Sequence, residues 1–142
     1  MTREDVLSGV RECLARVRDG LDPSTIKESD RVIEDLGVDS LDLLDLIFQL
    51  ERRFSIRISP RSIERAAQER LGGTPLEIDG VYTPEALAEL RIAMPEIPAD
   101  ELREGIEVGE LPRLFRVGTF VNLVLRVQED AAKEMISEGK AG

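Results

Sequence analysis

From Asp39 to Phe54 the chain reads Asp-Ser-Leu-Asp-Leu-Leu-Asp-Leu-Ile-Phe-Gln-Leu-Glu-Arg-Arg-Phe, with its apolar residues at helical spacing. At ~100° per residue, Leu43, Leu46, Ile47, Leu50 and Phe54 share one arc, while Leu41, Leu44 and Phe48 lie on roughly the opposite one. Burying five large side chains at ~1.5–3 kcal/mol each outweighs a capping effect of ~1 kcal/mol. Packing therefore decides which face turns inward, and the five-residue stripe wins. The smaller stripe is left outside, beside Asp42, Asp45 and Glu51. An apolar strip with a charged rim is expected to be a docking surface.

Chemistry by this segment's own serine is disfavoured. The chain has no histidine, so Ser40 lacks the usual base that turns a hydroxyl into a nucleophile. A serine hydrolase is a poor fit for a second reason: Val38 interrupts the likeness of Gly37-Val38-Asp39-Ser40-Leu41 to a Gly-Asp-Ser-Leu motif. The eighteen residues from Glu34 to Glu51 hold six acids and no base, without the spacing of a calcium loop, so no metal site is expected. Ser40 reads as a residue that is modified, not one that reacts.

A net charge of −10 argues against nucleic acid, whose phosphates are neutralised by basic groups. It favours proteins that present lysine and arginine, with an attraction that weakens as salt rises. With only five aromatic residues, the core must be mainly aliphatic. Cys13, the single cysteine, falls in an apolar stripe and is expected to be core. No stretch has the ~18 apolar residues of a membrane span and no secretory leader opens the chain, so a cytoplasmic protein is expected.

Other elements follow from caps and breakers. A first helix is predicted over 3–18, capped by Thr2, with Val6, Val10, Leu14 and Val17 inward. Leu21, Ile26, Val32, Ile33 and Leu36 are expected to pin a long loop onto the core. Ser59-Pro60 predicts a helix start running to Leu71, ended by Gly72-Gly73. Residues 74–82 read as extended with a turn at Asp79-Gly80. Thr83-Pro84 opens a helix to about Ala93, and a short helix is expected around Asp100–Arg103. A last helix is predicted over Thr119–Ile136. Residues 60–111 hold twelve acids and five bases. They are expected to form a small lobe, with Leu71, Leu76, Ile78, Val81, Leu87, Leu90, Ile92 and Met94 as its apolar material.

Glu34-Asp35-Leu36-Gly37-Val38-Asp39-Ser40-Leu41-Asp42, continuing through Leu50 to Ile58, resembles the acyl carrier proteins. Leu21–Ile26 resembles that family's loop before its second helix, and Phe115–Val121 the start of its last helix. The resemblance covers 1–59 and 112–137, leaving 60–111 as an insertion within a single domain of 142 residues. It implies an all-α, four-helix bundle with an additional, partly helical insertion. It also implies that Ser40 receives 4′-phosphopantetheine from coenzyme A, transferred by a separate phosphopantetheinyl transferase. The arm's thiol would hold acyl groups as thioesters for acyl-transferring or acyl-condensing enzymes with basic docking surfaces, in fatty acid, lipid or polyketide synthesis.

Leu41, Leu44 and Phe48 match the family's apolar recognition positions, and Asp39, Asp42, Asp45 and Glu51 the acidic ones. The chain itself would be a monomer and no enzyme. Arg52, Arg53 and Arg116 depart from the family pattern. The alternatives are a peptidyl or aryl carrier, and an adaptor that keeps the fold without an arm.

Overall fold

The computed structural model describes residues 2–58 and 62–141, without the side chains of residues 62, 63, 66 and 134–141. The expected helix start at Ser59-Pro60 lies outside the described residues. Among the described residues five helices run α1 (Arg3–Val17), α2 (Ser40–Phe54), α3 (Ser62–Leu71), α4 (Pro84–Ala93) and α5 (Val117–Ala141). A two-residue hairpin, β1 (Glu77–Ile78) with β2 (Val81–Tyr82), separates α3 from α4. Short 3-10 turns occupy Pro23–Thr25, Ala99–Glu101 and Val108–Leu114.

Two apolar cores form. In the first, α1, α2 and α5 enclose Val10, Leu14, Leu46, Leu50, Phe120 and Val124, with Cys13 among them. Burial raises the pKa of the Cys13 thiol, as expected of a core residue. Leu46, Leu50 and Phe54 are buried, and Leu43 and Ile47 are half-buried against them, as the broader stripe of α2 requires. Gly9 permits a close approach. A Cβ there would stand 2.4 Å from Phe54 Cζ, so the α1–α2 contact depends on a missing side chain. The long loop is pinned by Ile26 and Val32, both buried.

The second core belongs to the lobe. Leu76, Tyr82, Leu87, Leu90, Met94, Ile97 and Leu102 are buried together, with Ala67 of α3 among them. Thr83 organises its middle: its hydroxyl caps Ala86 N–H at 3.2 Å and donates to the Pro75 carbonyl at 2.9 Å. Ile78 and Ile92, expected inside, are instead 61% and 57% exposed. Ile92 stands ~200° around α4 from Leu90, and the inward face is already filled by Leu87, Leu90 and Met94.

The lobe is fastened to α5 through polar groups. Glu96 accepts from the Thr119 hydroxyl at 2.8 Å and from Asn122 Nδ2 at 2.9 Å. Arg116, buried, donates to Glu101 at 2.7 Å, and Arg126 donates to the Ala93 carbonyl at 3.1 Å. Thr119 Oγ1 also accepts from Arg116 N–H at 2.9 Å, which starts α5 two residues before the expected Thr119. The helix runs on to Ala141, beyond the expected Ile136.

Candidate functional site

Ser40 is the first residue of α2, and Asp39 is its cap. Asp39 Oδ1 accepts from Asp42 N–H at 2.8 Å, while Asp42 Oδ2 accepts from Asp39 N–H at 3.2 Å. This reciprocal box satisfies the helix end without Ser40. The Ser40 side chain is exposed and makes no hydrogen bond among the described residues. Since Ser40 and Leu41 precede the first intrahelical donor, Leu43 N–H on the Asp39 carbonyl, their N–H groups add the positive end of the helix dipole beside that hydroxyl.

The loop before α2 holds this turn in place. Arg31 N–H and its guanidinium both bind the Asp35 carboxylate, at 2.8 and 3.2 Å. The side-chain bond, then the backbone bond, holds Asp35 below the usual carboxylate range. Val32 N–H donates to the Phe115 carbonyl at 3.1 Å and Val38 N–H to the Val32 carbonyl at 3.0 Å, tying the loop to the segment that leads into α5. Gly37 takes φ +73°, a left-handed conformation that favours glycine, just before the chain turns into the cap.

Along α2, Leu41, Leu44 and Phe48 are 76%, 57% and 60% exposed. Asp45 is exposed beside them, and Asp39 and Asp42 each commit one oxygen to the cap. Glu51 is more constrained: half-buried, it accepts from Ile58 N–H at 2.9 Å and so closes the end of the helix. That bond spans seven residues, so the helical pattern that singled out Glu51 carried no sign of it. The grip of Glu96 and Glu101 on α5 was likewise missed; Arg116 stood out in the sequence only as a departure from a pattern. Among the described residues no group of acidic or cysteine side chains is placed to hold a metal ion.

A family model described as a phosphopantetheine attachment site matches residues 8–68, ending within α3. The acyl carrier protein of Thermotoga maritima is 34% identical over 64 residues, covering 45% of this chain and 78% of that protein. That of Campylobacter concisus is 39% identical over 62 residues, 44% of this chain and 74% of its own. That of Chlamydia muridarum reaches 48% over 46 residues, but spans 32% of this chain and 60% of its own. No solved structure matches. The chain belongs to the acyl carrier protein family.

It is a carrier that bears a covalently attached 4′-phosphopantetheine, served by a phosphopantetheinyl transferase and by acyl-handling enzymes; it is not an enzyme. That group needs an accessible hydroxyl to esterify. The free, exposed Ser40 hydroxyl fits this requirement, and the N–H groups of the first turn suit a phosphodiester.

Proposed function

We propose that Ser40 carries the arm, and that the chain delivers thioester-bound acyl intermediates within fatty acid, lipid or polyketide synthesis. The observation carrying this reading is the free Ser40 hydroxyl, exposed on the first turn of α2 because Asp39 takes over the cap. When bound, the group supplies a terminal thiol that holds the acyl cargo. The chain's own residues position and present it. The first-turn N–H groups would hold the phosphodiester, while Arg31, Asp35 and Gly37 hold the loop in register.

Leu41, Leu44 and Phe48 offer the apolar part of a docking face, and Asp39, Asp42, Asp45 and Glu51 its acidic part. A basic enzyme surface is the complementary partner. Weak, salt-sensitive docking suits a carrier that must leave each enzyme in turn, since the tether already raises the local concentration of cargo. The molecule acts as a cytoplasmic monomer with one carrier domain interrupted over 60–111. Helix α3 serves both parts: its beginning lies within the family match, and Ala67 fills the lobe's core.

Coexpression with a phosphopantetheinyl transferase followed by intact mass measurement tests the assignment. The expected result is one added phosphopantetheinyl mass, lost in Ser40→Ala. An unmodified chain, or addition that survives Ser40→Ala, overturns it.

A further inference from the structure

A cleft of about 680 Å³ opens where the end of α2 meets α3 and α5. Its apolar lining comes from Ile56, Leu123 and Val127, and three arginines, Arg57, Arg65 and Arg126, surround it. Arg126 already donates to the Ala93 carbonyl. Arg57 and Arg65 are exposed and make no ion pair or hydrogen bond among the described residues. Glu51 and Asp130 also line the cleft, with one Glu51 oxygen committed to Ile58 N–H. In a chain of net charge −10, two unpaired guanidinium groups beside an aliphatic surface fit a ligand with an apolar body and an anionic end.

The path from Ser40 supports the same ligand. Eleven residues at ~100° each bring Glu51 back to within ~20° of the Ser40 direction, ~16 Å farther along the helix. Leu44 and Ile47 fall in that same row, so exposed Leu44 and half-buried Ile47 pave the way from hydroxyl to cleft. We propose that the cleft receives the distal end of an acyl cargo that terminates in a carboxylate, seated on Arg57 and Arg65. This rests on the attachment at Ser40 and narrows the class of cargo.

The test loads the full chain with octanoyl or suberoyl pantetheine through non-hydrolysable amide links, confirms each loading by intact mass, and follows amide exchange. The suberoyl form is expected to slow exchange at Ile56–Arg57 and Leu123–Val127 about fivefold more than the octanoyl form. Arg57→Gln with Arg65→Gln abolishes that difference without changing loading, and high salt diminishes it in the unaltered chain. Equal protection by both cargoes, or a difference that persists in the double variant, overturns the carboxylate seat alone. Absence of added mass overturns the attachment at Ser40 and this inference with it.

Discussion

The two cores are built by different means. In the first, long helices present apolar residues at regular spacing, and α1, α2 and α5 meet through aliphatic side chains such as Leu14, Leu50 and Val124. In the lobe, short elements are held in register by turns and caps: the hairpin at Asp79-Gly80, the Thr83 hydroxyl and the 3-10 turns from Ala99 onward. The join between them is largely polar, made by Glu96, Glu101, Arg116 and Arg126, with Phe115 packed against both cores. An apolar seam is non-directional and tolerates sliding, whereas hydrogen bonds between named donors and acceptors fix one orientation. The lobe is thus oriented on α5 by a few directional contacts, with Phe115 as an apolar bridge that packs against both cores.

That contrast is broken most severely from inside either core. Leu50→Ala is expected to cost ~2–5 kcal/mol and to lower the denaturation midpoint of the whole chain. Leu90→Ala, at similar cost, is expected to expose lobe amides to exchange while those of α1 and α2 stay protected. Simultaneous loss of protection in both regions would show that they unfold as one. Gly9→Ala forces a methyl into the Phe54 ring and should cost ~1–3 kcal/mol in chemical denaturation, confined to the first core.

The polar join responds more gently. Glu96→Ala removes the acceptor for Thr119 and Asn122, for a cost of ~1–2 kcal/mol. It should speed exchange of amides where the lobe meets α5, with little change near Ser40. The smallest effect concerns pH. Asp35 is held below its ordinary range by Arg31, so its contribution is complete above the unfolded value of about 3.9 and disappears as pH falls through the lower folded value. Amides of Leu36–Val38 should exchange faster only in that acid window, and Asp35→Asn should remove the transition.

Much of the fold was legible because its signals are local. The division of α2 into an inward and an outward stripe, the Thr2 and Thr83 caps, and the turn at Asp79-Gly80 each depend on residues within a few positions of one another. The lobe was legible as elements but less so in its core, where Ile78 and Ile92 were expected inside. Leu76 and Leu90, two positions away, are equally apolar, and only the packing of the lobe's elements selects among them.

At the site, the sequence by itself determined that a serine opens an amphipathic helix with an exposed, acid-rimmed apolar strip, since helical periodicity follows from residue order alone. Tertiary structure alone decided that Glu51 turns back to Ile58, that Arg116 is buried against Glu101, and that Arg57, Arg65 and Arg126 meet around one cleft. Those contacts join separate turns and elements, so their partners are set by how the helices pack and not by the spacing within any one of them.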